Sequence, residues 1–152
     1  MASMKETLNP SGVVNIKHYD KNGVLLLDKT INNLIVTAGK QYIASRMVDS
    51  ETPAPQMSHM GLGASATIPD LSDTALGTQL GRVALTVEGG TLSNNTVTYS
   101  ATFGVGVAIG NVVEAGIFDS GSGGNMLCRT TFPTIIKGEE DTLAVTWIIT
   151  VN

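Results

Sequence analysis

A chain of 152 residues fits one ordinary domain, and a globule of that size buries roughly 70% of its unfolded surface, so a core can form without disulfides or metals. The net charge of −4, with nine scattered basic residues, excludes the clustered Lys and Arg that bind nucleic-acid phosphates. The single cysteine, Cys128, excludes an internal disulfide, and a charged fraction of 14%, low against a typical ~25%, leaves surface that other chains can cover.

In chain order, residues 1–12 (MASMKETLNPSG) carry no core pattern and read as a flexible arm that orders against a neighbouring subunit. They lack the basic start and apolar stretch of a secretory signal. Residues 13–152 are expected to form one domain. Val13–Tyr19 and Val24–Ile31 flank Asp20-Lys-Asn-Gly23, whose Asn-Gly step is a hairpin signal. The spacing of Ala38, Tyr42, Ile43 and Met47 predicts the one short α-helix over about 37–49, with Thr37 as N-cap. Residues 49–60 form a proline-containing loop, and 61–73 a second loop with a short strand near Met60–Gly63. A helical turn is expected at Ser72–Gly77.

From residue 83 onward period-2 alternation dominates. Val83, Leu85 and Val87 give a short strand. Val97, Tyr99, Ala101 and Phe103 alternate with a threonine-rich face, and Leu143, Val145, Trp147, Ile149 and Val151 repeat the pattern. Turn clusters at 88–95, 119–125 and 137–141 separate these strands. The expected fold is therefore mainly β, an antiparallel β-sandwich or jelly-roll-like domain with one helix. The longest apolar region, Val105–Phe118, is interrupted by Asn111 and Glu114 and falls short of the ~18 residues of a membrane helix. No membrane partner is expected.

Catalytic and metal chemistry find little footing. Asp119-SGSGG-Asn125 has neither the lysine nor the following helix of a phosphate loop. No G-x-S-x-G elbow is present, and one cysteine with His18 and His59 supplies no zinc spacing. His18 is read as a polar-face strand residue, and Cys128 as a small buried hydrophobe. Neither Asp70 with Asp73 nor Glu139-Glu140-Asp141 matches a calcium loop. The expectation is no catalytic residue, no metal and no cofactor.

Glu114 is the residue that asks for an explanation. In a strand it shares a face with Val112, Gly116 and Phe118, opposite Val113, Ala115 and Ile117, and a carboxylate buried there needs a partner. If Phe118 pairs with Asn125 in the following hairpin, Glu114 stands opposite Arg129, a structural salt bridge. A register shifted by one places Thr130 there instead, and the pairing is lost.

Three segments carry a likeness. These are Leu34–Met47 with VTAGK, Met60–Arg82 with GLGASAT and DTALG, and Glu114–Val151 with EAGIFD, GGNML and LAVTW. Together they resemble a family of small tailed-bacteriophage structural proteins, the capsid decoration (cement) proteins. The resemblance implies a jelly-roll-like homotrimer, made in the bacterial host cytoplasm and carried on the capsid outer surface of the virion. Its partner would be the major capsid protein, and it would bridge neighbouring capsomers mechanically. Met4, Leu8, Met57, Met60 and Leu62 are the candidate inter-subunit or capsid contacts. The alternative is a phage tail or fibre module that binds another tail protein or a host glycan. A bacterial hydrolytic or carbohydrate-binding β-domain is a third, more distant reading.

Overall fold

The computed structural model describes residues 7–48, 50–52 and 54–152. The chain is mainly β, with strands β1 (Pro10–Tyr19), β2 (Leu25–Ile35), β3 (His59–Gly63), β4 (Gln79–Ala84), β5 (Thr91–Ser93), β6 (Thr96–Phe103), β7 (Gly110–Phe118), β8 (Met126–Lys137) and β9 (Thr142–Val151). Among the described residues one helix, α1 (Thr37–Ser45), interrupts them. All strand pairs are antiparallel, in the order β4-β3-β7-β8-β2-β1-β9-β6-β5.

Alternation explains the central strands. In β1, Val14, Ile16 and His18 are buried while Ser11 and Val13 are exposed. Its partner β9 buries Leu143, Val145, Trp147 and Ile149 on the same side, and β6 adds Tyr99, Ala101 and Phe103. Trp147 stands between Val14 and Tyr99 in the register and is completely buried. Its Nε1 has no hydrogen-bond acceptor, a loss of about 1–3 kcal/mol. Burying an indole of 150–250 Å² at about 25 cal/mol per Å² returns about 4–6 kcal/mol, so the packing term wins.

The sheet folds on itself at one seam. β2 and β8 share only the pairs Leu34–Arg129 and Ile35–Cys128. Beyond them the leaf β5-β6-β9-β1-β2 turns against the leaf β8-β7-β3-β4. One apolar core fills the space between, drawing Val14, Phe103 and Trp147 from the first leaf and Met60, Leu62 and Ile117 from the second. Opposite the seam the leaves meet again: Leu85 N–H extends the β3–β4 ladder to Ser58 O, and the next amide, Thr86 N–H, crosses to Ser100 O of β6, both at 2.8 Å. This is a sandwich closed at both flanks, of the jelly-roll-like kind, which leaves little open strand edge.

The β1–β2 turn forms as its sequence predicts. Gly23 takes φ +75°, and the Asp20 carboxylate accepts from the amides of Asn22 and Val24. Helix α1 is shorter than 37–49; it ends at Ser45, and residue 49 lies outside the described residues. Thr37 is not its N-cap. Val36 holds that position, and the Thr37 amide donates to Leu71 O at 2.8 Å. Gly39, which weakens the helix pattern in sequence, is buried where the α1 backbone touches the Leu127 carbonyl.

Several expectations need correction. The domain starts at Pro10 rather than residue 13, because residues 10–12 pair with β9 and Gly12 also faces Asn33. His18 is not on the polar face; it follows Val14 and Ile16 inward and is only 8% exposed. Ser72–Gly77 is not helical but a chain of turns. The short strand at 83–87 stops at Ala84, as the chain leaves β4 to reach Ser58 and Ser100. Met57, Met60 and Leu62, assigned as contacts, are fully buried members of the core. Their mixture of apolar side chains with turn residues resembles an exposed loop in sequence, but Met60 and Leu62 face inward from β3 and Met57 plugs the core beside it.

Candidate functional site

The one elaborate polar site among the described residues is built around Glu114. It arises from the register of β7 with its neighbours. Phe118 pairs with Met126, not Asn125, and a bulge beside Phe118 advances the register again, so Glu114 stands opposite Thr131 and Gly116 opposite Arg129. The total slip from the expected register is two residues, which preserves the face on which each side chain lies. Glu114 and Arg129 therefore meet on the diagonal, with Arg129 Nε donating to Glu114 Oε1 at 3.1 Å. Glu114 is fully buried and Arg129 is 2% exposed.

A second irregularity lies between Val112 and Glu114. It turns Val112 into the core with Ala115 and Ile117 and leaves Glu114, Gly116 and Phe118 on the outer face. That outer face should be wet, yet β7 is buried on both sides from Val112 to Phe118. The cover is the segment 64–78, which returns across β3 and β7 as a strap. Leu76 lies against Gly61, Gly116 and Phe118, and Phe118 packs with Val36 and Met126 beneath α1.

Glu114 holds the strap down. Its Oε2 accepts from the amides of Ser65 (2.7 Å) and Thr78 (3.0 Å), and its Oε1 from the amide of Gly77 (2.8 Å) in addition to Arg129. A carboxylate paired with one guanidinium and three amides is solvated by protein instead of water, which offsets its burial. Space for it depends on glycine: a Cβ at Gly63 would lie 2.7 Å from both Glu114 Cγ and Oε2. Arg129 completes the network by donating Nη1 to Asp73 Oδ2 at 3.0 Å. The same Asp73 oxygen accepts the Asp70 amide at 2.9 Å, while Asp70 accepts from the Ser72 amide and hydroxyl. Those two hydrogen bonds hold the Asp70 carboxyl below its usual range. Sequence reasoning placed Glu114 with Arg129 but missed Asp73, whose partner is 56 residues away.

The glycine-rich tip after β7 is a closed turn. Asp119 accepts from the backbone and side-chain amides of Asn125, and Gly123 and Gly124 take φ of +59° and +74°. Arg82 lies 3.6 Å above the Phe118 ring and donates to the carbonyls of Ser120 and Gly123 and to Gln79 Oε1. Burial lowers the Arg82 pKa from its usual value. The tip presents carbonyls to an internal guanidinium, not amides to a phosphate.

Other sequence-predicted groups fall apart in space or serve the scaffold. His18 Nε2 lies 3.0 Å from Asp141 Oδ2, which also accepts the Gly138 amide at 2.7 Å. Lys137 is buried and donates to Gly104 O at 2.8 Å. His59 Nδ1 is within 2.8 Å of its neighbour Ser58 Oγ. Among the described residues no three His, Cys, Asp or Glu side chains are grouped as a metal site. Cys128 is buried, and desolvation pushes its thiol pKa well up. Of the assigned contacts, Leu8 is 60% exposed and flanks a trough with Lys40, Ile43 and Met47, while Met4 lies outside the described residues. An apolar groove of about 450 Å³ runs between α1 and the sheet, lined by Tyr42, Ile43, Leu92, Tyr99 and Ile149.

Fold and site together define a small antiparallel β-sandwich with a buried acid–arginine network that fastens a surface loop. No family model, curated protein or solved structure matches the chain.

Proposed function

We propose that this protein is a non-enzymatic structural component of a tailed-phage virion, a capsid decoration protein that binds the shell from outside as a homotrimer. The observation that carries the reading is the closed state of Glu114. The hairpin with the strongest likeness to such proteins places its one anomalous acid at zero exposure, with both oxygens occupied by protein donors. A general acid or nucleophile needs access to substrate; a group that fixes a loop does not. The segment thus behaves as scaffold, as a protein that works by contact requires.

The mechanism is mechanical. Three linked copies bind adjacent capsomers at an effective concentration far above that of free protein, so weak single contacts add to a durable bridge. The copy number per virion, taken with the solution mass of the isolated protein, tests this. A trimer present at the order of the shell's three-fold and quasi-three-fold positions is the expected result. A monomer that never associates with shells, or a few copies per particle, refutes it. The latter would favour a tail or fibre attachment module, for which the groove between Tyr42 and Tyr99 offers a place for a glycan or an extended peptide.

A further inference from the structure

We propose that the groove between α1 and the sheet binds a medium-chain alkyl carboxylate. Its chain lies along Ile43, Leu92, Val97 and Ile149, and its carboxylate is held by Arg46 and the Tyr99 hydroxyl. This goes beyond the capsid reading and does not depend on it.

The groove exists because an inner sheet face runs on past its cover. Along β6 the inward residues pass from Phe103 and Ala101, which are enclosed, through Tyr99 to Val97, which is only half-buried. Along β9 the series Leu143, Val145, Trp147, Ile149 loosens in the same way and ends at half-buried Val151. Val97 and Ile149 are direct cross-strand partners, and Leu92 of β5 pairs with Val97. Of the second leaf only Leu127 lines this end, and α1 lays Tyr42 and Ile43 over part of it. The apolar surface left uncovered is the floor of a groove of about 450 Å³, a volume within the range of small-ligand sites.

Polar groups at the rim decide what kind of ligand this is. Arg46 is the one charged residue among those lining the groove. It stands at the C-cap of α1, and its Nη1 donates to Ala54 O at 2.6 Å. That contact anchors the guanidinium and leaves its other N–H donors available. Among the described residues no carboxylate pairs with it.

Tyr99 supplies an independent observation. Its side chain belongs to the core and the residue is 7% exposed, yet its hydroxyl has no hydrogen-bond partner among the described residues. The fully enclosed polar atoms without a partner belong to Asn33 and Trp147. The Tyr99 oxygen is therefore not sealed in; it opens on the groove that the ring lines. Burial first, and the Tyr42 hydroxyl second, raise the Tyr99 pKa against the opposing effect of Arg46. The hydroxyl keeps its proton at neutral pH and is a donor.

A guanidinium and a phenolic O–H over an apolar floor, with no acid on the lining, select an anionic acceptor on an apolar body. A carboxylate takes both donors through charge-assisted hydrogen bonds. An ammonium ligand would meet Arg46 with no opposing charge beside it. The floor is aliphatic and fixes no ring plane, so an alkyl chain fits it.

The test titrates the full-length protein with sodium decanoate below its micelle concentration, by calorimetry and by amide chemical shifts. Saturable binding is expected, with shifts grouped around Tyr42–Arg46, Gly89–Leu92 and Val97–Tyr99. Arg46→Gln and Tyr99→Phe, which keeps the ring, are each expected to weaken binding roughly tenfold or more. Ile136→Ser, exposed but away from the groove, is expected to bind as wild type, and decylammonium is expected not to bind. Absence of saturable decanoate binding to wild type overturns the proposal, as does unchanged affinity in both groove variants. Octyl glucoside binding more tightly than decanoate overturns the choice of a carboxylate. Should a variant prove less stable, the wild-type shift map decides: shifts confined to another part of the chain refute the site.

Discussion

Glu114 and Arg129 are hydrogen-bonded at 3.1 Å although neither is the other's cross-strand partner. They meet because the hairpin pairs Phe118 with Met126 and the irregularity beside Phe118 advances the register once more, which leaves them on the same face and one diagonal step apart. Removing one partner strands a buried charge, and the three strap amides lose their acceptor.

Glu114→Ala is expected to cost about 3–5 kcal/mol, the usual loss on breaking a buried pair from one side. Urea unfolding at low temperature measures it. Glu114→Gln keeps an acceptor oxygen for part of the network and is expected to lose less. A loss under about 1 kcal/mol for the alanine variant would show that the network does not carry the strap.

Gly39→Ala is expected to destabilise the protein although alanine favours helix by about 1 kcal/mol. The added Cβ meets the Leu127 carbonyl where helix and strand touch backbone to backbone. Overpacking of this kind costs about 1–3 kcal/mol and outweighs the helical gain. A raised thermal midpoint in the variant would refute the contact.

Cys128 is expected to resist thiol reagents in the native state at pH 8 and to react fully in denaturant. Burial raises its pKa, so the nucleophilic thiolate is scarce in the fold, and its side chain is out of reach. Native labelling at the rate of a free thiol would contradict its position.

The pH dependence should carry the mark of Asp141. The Gly138 amide first, and His18 second, hold its carboxyl below the ordinary aspartate value. A folded pKa below the unfolded one contributes stability that is present above the unfolded value near 3.9 and lost as pH falls through the folded value. Asp141→Asn is therefore expected to be less stable than wild type at pH 6. The gap should narrow as the pH is lowered below about 4. Parallel stability curves for the two proteins across that range would refute the assignment.

Much of this architecture is legible from side-chain order. The alternation in residues 13–19, 97–103 and 143–151 requires half-buried strands, because successive side chains on extended backbone point to opposite faces. The Asn22-Gly23 turn follows from the need for positive φ. The glycine-rich 119–125 segment excludes a phosphate loop, since lysine and helix are both missing. Glu114 announces itself as an acid in an apolar run, and Arg129 lies within reach of it in a hairpin.

Other features depend on contacts that no local pattern contains. His18 looks polar beside Lys17, yet β1 turns it inward, where Asp141 from 123 residues away meets it. Met57, Met60 and Leu62 resemble exposed loop apolars until β3 is flanked by β4 and β7 and the core closes over them. Segment 72–77 has a helix's caps, but the Gly77 and Thr78 amides donate to Glu114, and the strap lies flat. The sequence by itself determined which stretches are strands and which residue demands a partner, because backbone geometry and the cost of a buried charge act locally. Tertiary structure decided what Glu114 is for, because register, bulges and a returning strap bring together groups that the chain keeps far apart.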